Sequence, residues 1–229
     1  MTVNISIRHD VNIVNMASRK RTPAPRTAYH HGDLRNALID AAERLVESGG
    51  GARLTLRAAA QAAGVSVAAP YRPFADREAL LAAVLAQGFR ELARRTAAAC
   101  RAASRPMDAL VAVGLAYVAF AADRPAIYRL MFGPECDKTA HPDLMAAGHE
   151  AFGVLVEAVE QARAAGLIGD ADPHAVALAG WSLSHGLASL HADGILAATL
   201  PVDLPTAARA LMGMLVDGVR PRRSARARR

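Results

Sequence analysis

Residues 55–81 read TLRAAAQAAGVSVAAPYRPFADREALL, an alanine-rich run cut by one glycine and then by two prolines three residues apart. That punctuation limits the fold more than any other part of the chain. Thr55 is placed to cap a short helix over Leu56 to Ala63, because its hydroxyl can accept an orphan N–H of the first turn. Gly64 then supplies a tight turn. Ser66 is placed to cap a second short helix, about Val67 to Arg72. Pro73 ends it, since the residue before a proline disfavours helical geometry. Asp76 opens a long helix, about Arg77 to Ala102, with Glu78 in the first turn where the helix dipole favours an acid. Two short helices joined by a glycine turn are a helix-turn-helix. Ala60, four residues before Gly64, is small enough for the crossing of the two helices, and Val65 can plug the core beneath it. The second helix of such a unit suits the major groove of DNA, about 12 Å wide.

The remainder reads as helix throughout. Asp33 is placed to cap a helix to about Ser48, with Leu34, Ala37, Leu38, Ala41 and Leu45 on one face, and Gly49, Gly50 and Gly51 stop it. Further helices are expected at about 106–122, 125–131, 143–165, 173–192 and 205–219, with a loop over 133–142. Alanine and leucine dominate and aromatics are only 4% of the chain, which favours helix over sheet. The expected fold is all-α, about nine helices. It divides into a basic flexible arm (1–31), a helix-turn-helix domain (32–82), a larger helical domain (83–219) and a basic tail (220–229).

Charge separates the two ends. The arm carries +4 and the tail +6, whereas residues 32–219 carry −4. Within that body, residues 32–95 are +2 and residues 96–219 are −6, so a polyanion would meet the front half. Cys100 and Cys136 form no CxxC pair, which points to neither a disulfide framework nor a structural metal site. The longest apolar run, residues 109–122, has 14 residues, too few to span a bilayer. A cytoplasmic protein with no membrane partner is expected.

The run Thr55-Leu56-Arg57, Ala60, Ala63-Gly64-Val65-Ser66, Tyr71, Phe74 and Asp76-Arg77-Glu78-Ala79-Leu80-Leu81 resembles the TetR family of bacterial transcriptional regulators. Trp181-Ser182-Leu183-Ser184-His185-Gly186 looks like the WHG pattern of the C-terminal domains of one subgroup. The resemblance implies three N-terminal helices that bind a palindromic double-stranded DNA operator. It also implies a helical domain that binds a small-molecule effector and forms a homodimer through its last two helices. Ligand binding would change the spacing of the two heads and release the DNA, as in a repressor. Pro73 departs from the family pattern, where a histidine stands at that position and can reach phosphate.

Specific residues follow. Thr55, Ser66, Tyr71 and Arg72 are candidate phosphate contacts, and Arg77 matches a family position that holds a phosphate-binding lysine. Val67, Ala68 and Ala69 can touch thymine methyls, and Arg57 and Arg72 are the residues suited to guanine. Thr55 and Ser66 serve equally well as plain helix caps. Phe89, Tyr117, Phe120, Tyr128, Met131, Phe132, Phe152, Trp181 and His185 are candidates to line the effector pocket, although such residues at helical spacing are as a rule core. Leu204, Ala208, Leu211, Met212 and Leu215 are candidates for the dimer face. His141, Asp143 and His149 share a region without a metal-ligand spacing. No nucleophile–base set or carboxylate pair stands out, so neither catalysis, a metal nor a cofactor is expected. The competing reading is a helical binding protein or enzyme whose helix-turn-helix does not bind DNA.

Overall fold

The first helix, α1 (His31–Gly49), begins two residues before the expected cap, so Asp33 lies inside the first turn rather than at its boundary. The structure, a computed structural model, describes residues 31–221. Residues 1–30 of the basic arm and all but Arg220 and Pro221 of the basic tail lie outside the described residues. The other helices are α2 (Leu56–Ala62), α3 (Arg77–Ala102), α4 (Pro106–Asp123), α5 (Pro125–Phe132), α6 (Pro142–Ala164), α7 (Pro173–Ala192), α8 (Ile195–Thr199) and α9 (Leu204–Val219). The described residues contain no strand.

Helix starts are set by local chemistry. Oγ1 of Thr55 accepts the Ala58 N–H at 3.0 Å, and Oδ1 of Asp76 accepts the Ala79 N–H at 2.8 Å. Proline occupies the first turn of α4, α5, α6, α7 and α9. Its missing N–H would be unpaired there in any case. The α2 terminus closes as a Schellman motif. Gly64 takes the left-handed conformation at φ 69°, its N–H reaches the Gln61 carbonyl, and the Val65 N–H reaches back to the Ala60 carbonyl at 3.0 Å.

Two expectations about elements fail. The second half of the helix-turn-helix is no α-helix. Residues 67–68 form a turn and Ala69–Tyr71 a single turn of 3-10 helix, with no side-chain cap from Ser66. Pro70 lacks the N–H that an α-helix would use, and its ring crowds the turn before it. The expected bias of Pro73 also loses locally. Arg72 sits at φ −78°, ψ −52°, in the helical region, and the Phe74 N–H bonds the Pro70 carbonyl at 3.0 Å. The missed helix is α8, five residues introduced by Gly194 at φ 73° and anchored by buried Leu196. Nine α-helices among the described residues therefore agree in number with expectation, but the membership differs.

Helices α1 and α2 pack together as a head, and α3 runs from that head into the body. In the body α3 packs on α6 and α4, and α4 packs on α7 and α9. The α4–α9 crossing is tight because Gly114 has no side chain. A Cβ there would stand 2.5 Å from Met212 Sδ. One core runs without interruption from Leu38 and Val46 of α1 through Leu81 and Leu85 of α3 to Tyr128, Leu187 and Ala208. A smaller cluster around Val159, Ala177 and Val216 closes the far end. By length and composition α4 alone among the described helices could cross a membrane. Its apolar side is occupied by the protein's own core, with Val113, Tyr117 and Phe120 buried.

Candidate functional site

The head presents a compact exposed segment. Ser66, Val67, Ala68, Tyr71 and Arg72 are exposed, Ala69 is half-buried and Pro70 is buried beneath them. Val67 is 47% and Tyr71 62% exposed, so two sizeable apolar surfaces face outward, uncovered among the described residues. Pro70 is thus more than a helix breaker. It is the residue that seats the turn on the head, while Phe74, 3% exposed, anchors its exit beneath the Arg35 guanidinium. Arg57 is exposed on α2. Thr55 acts as the α2 cap. Arg77 is used internally: its Nε donates to the Leu54 carbonyl at 2.8 Å and a terminal nitrogen donates to the Gly51 carbonyl at 2.7 Å. It ties the start of α3 to the segment before α2.

The body holds an open-sided cavity of about 650 Å³ bounded by α3, α4, α5, α6, α7 and α9. Of the nine residues expected to line a pocket, Phe89, Tyr117, Met131, Phe132, Phe152 and Trp181 do so. Phe120, Tyr128 and His185 do not. Phe120 is fully buried, with the Arg95 guanidinium over its ring. His185 stands behind the aromatic wall, where its Nδ1 is 2.7 Å from the Tyr128 hydroxyl and 3.1 Å from that of Tyr117. Burial lowers the His185 pKa and raises those of both tyrosines, so all three are held neutral. Periodicity places these side chains on inward faces, but it cannot separate the wall of a cavity from the layer behind it.

The cavity offers few free polar groups. Thr96 and Ser184 spend their hydroxyls on the Leu92 and Gly180 carbonyls of their own helices, each at 2.9 Å. Lys138 and His149 are the cationic and titratable side chains in the lining. Lys138 donates one of its three N–H bonds to the Gly133 carbonyl at 2.6 Å. Sequence reasoning missed Lys138, His149, Leu110, Val113, Leu155 and Leu178, because each reads as ordinary surface or core until the helices are packed.

Of the five residues expected at the dimer face, two are taken up within this chain and three are half-buried. Ala208 and Met212 are buried inside the protomer, Leu204 and Leu211 pack on the main core, and Leu215 lines the cavity with Met212. Part of the apolar stripe of α9, Ala208, Met212 and Val216, is buried, in a helix that packs on α4 and α7. The outer faces of α7 and α9 expose Leu178, which also edges the cavity mouth, with Leu190 and Met214, at 53%, 44% and 72%. His141, Asp143 and His149 do not converge. Asp143 pairs with Arg90, and His149 faces the cavity. His141 meets Cys136 and Glu78 instead.

Comparison with known proteins gives two family matches, one in each half of the chain. The tetR family of bacterial regulatory proteins matches residues 38–84, and the tetracyclin repressor-like C-terminal domain matches residues 110–215. Among solved structures, a protein of unknown function from Rhodococcus sp. RHA1 is 34% identical, with a TM-score of 0.76 over 85% of this chain and 100% of that one. A bacterial regulatory protein in the tetR family from Rhodococcus RHA1 is 21% identical, with a TM-score of 0.61 over 82% and 97% of the two chains. The fatty acid degradation regulator FadR from Bacillus halodurans shares the fold at 15% identity, with a TM-score of 0.66 over 84% and 100%. No curated protein matches the sequence significantly.

Proposed function

The chain belongs to the TetR family of transcription regulators, and from that premise we propose that it is a dimeric repressor released from a palindromic operator by a largely apolar effector. The observation that carries this reading is the continuity of α3. Its first turn holds the head through Arg77, and its middle lines the cavity through Phe89, Leu92 and Thr96. A molecule in the cavity therefore presses on the helix that sets the head's position. Coupling of this kind changes DNA affinity by the effector's differential binding to the two arrangements, typically about 5–150-fold.

Tyr71, Arg72, Ser66 and the backbone near Thr55 are the proposed phosphate contacts, and Val67, Ala68 and Ala69 the proposed groove-facing surface. Arg77 acts mainly through its clamp. In the cavity Phe89, Tyr117, Met131, Phe132, Phe152 and Trp181 would contact the effector. The apolar walls suit a hydrocarbon body, and Lys138 with His149 suits one anionic or polar end. The fold likeness to a fatty acid degradation regulator is compatible with that chemistry. The homodimer would form through the outer faces of α7 and α9, around Leu178, Leu190 and Met214, with Ser182, Gly186 and Ala210 allowing close approach.

The test uses labelled DNA from the protein's own upstream region, titrated with the full chain at several salt concentrations. Specific binding that weakens steeply with salt is expected, and a saturating apolar carboxylic acid should reduce it. Absence of specific binding at every salt concentration favours the helical binding protein without DNA function.

A further inference from the structure

Three ligand-type side chains meet where the first turn of α3 touches the loop between α5 and α6. Glu78, Cys136 and His141 each bring one donor atom within 4.8 Å of the other two. Nε2 of His141 lies 3.7 Å from Oε1 of Glu78. Two N or O ligands of a tetrahedral zinc, each about 2.0–2.1 Å from the metal, stand about 3.4 Å apart, so that pair needs only a small closure. Glu78 comes from the head and the other two from the body, so the fold rather than a local motif assembles the set. The Asp137 N–H donates to Oε1 of Glu78 at 2.9 Å, which orients the carboxylate as an outer-shell partner would.

A plain Glu–His ion pair accounts for part of this arrangement, but not for a thiol in the same place. Cys136 is 4% exposed and the two partners are more open, with side chains 46% exposed for Glu78 and 24% for His141. The cluster thus has a buried floor and an open side for entry. We propose that Glu78, Cys136 and His141 form a binding site for a thiophilic divalent cation of the zinc class, with water or a small anion as fourth ligand. A sulfur, nitrogen and oxygen set of this kind selects against magnesium and calcium, which take oxygen ligands. Binding converts the Cys136 thiol to a thiolate and releases its proton to solvent. Burial, and then the Glu78 carboxylate, hold that thiol above its ordinary pKa, so without metal it stays protonated.

The position gives the cation a role distinct from that of the cavity effector. Glu78 follows Arg77, the clamp of the head, and Lys138, between Cys136 and His141, lines the cavity. An ion held there fastens the start of α3 to the cavity rim and couples metal occupancy to head placement.

Cobalt(II), titrated into the reduced full-length protein and followed by absorption, reads the site without DNA, so its outcome is separate from that of the repressor reading. The expected result is a thiolate-to-cobalt charge-transfer band with tetrahedral visible bands, displaced by one equivalent of zinc. Cys136→Ser abolishes the charge-transfer band and Cys100→Ser leaves it intact. His141→Ala weakens cobalt binding by more than the roughly 10–100-fold that loss of an outer-shell partner costs. Absence of the band, its survival in Cys136→Ser, or unchanged affinity in His141→Ala overturns the site. Far-UV circular dichroism checks each variant, and His141→Ala carries the test alone if Cys136→Ser unfolds. Operator affinity that is identical with and without saturating zinc overturns the coupling.

Discussion

Arg124 joins more of the molecule than any other described side chain. It sits between α4 and α5 and reaches Glu43 and Glu47 of α1, the latter at 2.8 Å, and Glu91 of α3 at 2.7 Å. Burial alone would lower its pKa, but bonds to Glu43 and Glu47 outweigh it and hold the guanidinium above its ordinary value. Arg124→Ala leaves three acids facing one another. It should lower stability by about 2 kcal/mol in urea, between the values for exposed and buried pairs. His185 makes a second test. Its folded pKa is lowered by burial, so the unfolded chain takes up the proton first. Its contribution is complete above about pH 6.5 and is lost as pH falls through the lowered folded value. Urea midpoints measured at about pH 7.5 and about pH 5 should fall less in His185→Gln than in the unchanged protein. An equal fall in both would remove His185 as the titrating group.

The head shows how one element can keep its role while losing its expected form. The recognition segment keeps its Schellman entry and its anchored exit, and between them it is a turn and a 3-10 turn. Pro70 is responsible, and its burial makes the irregular shape a packed one. Pro70→Ala restores the missing N–H, so the NMR Cα shifts of residues 66–72 should move toward helical values. Unmoved shifts would place the cause elsewhere. Thr55→Ala separates two roles of one hydroxyl. Loss of the cap costs about 1 kcal/mol of stability. Operator affinity reduced well beyond that effect, under conditions where the variant is fully folded, would identify a phosphate contact as well.

The body turns on how α4, α7 and α9 share apolar surface. Gly114 lets α9 approach α4, and that approach draws Met212 and Leu215 inward. Charged residues at Leu211 or Leu215 should therefore unfold the body rather than simply separate protomers. Met214→Asp with Leu190→Asp should instead give folded monomers, read by sedimentation with unchanged helical content. Dimers that survive both changes would move the interface off this surface.

Much of this was legible along the chain. Thr55, Gly64, Asp76 and the helix-opening prolines act on neighbours within one turn, so the helix starts followed from local chemistry. The family signature over 55–81 rests on the same short-range rules. The residue-level site was less legible. A cavity forms only where helices fail to fill the space between them, and neither Lys138 nor Phe120 carries a local sign of which side it will occupy. The inward turn of Met212, the clamp of Arg77 and the meeting of Glu78 with Cys136 and His141 depend on partners far away in sequence. Hydrogen bonds and sterics within a turn are written in adjacent residues. The choice of which apolar face is covered, and by what, is a property of the packed helices together.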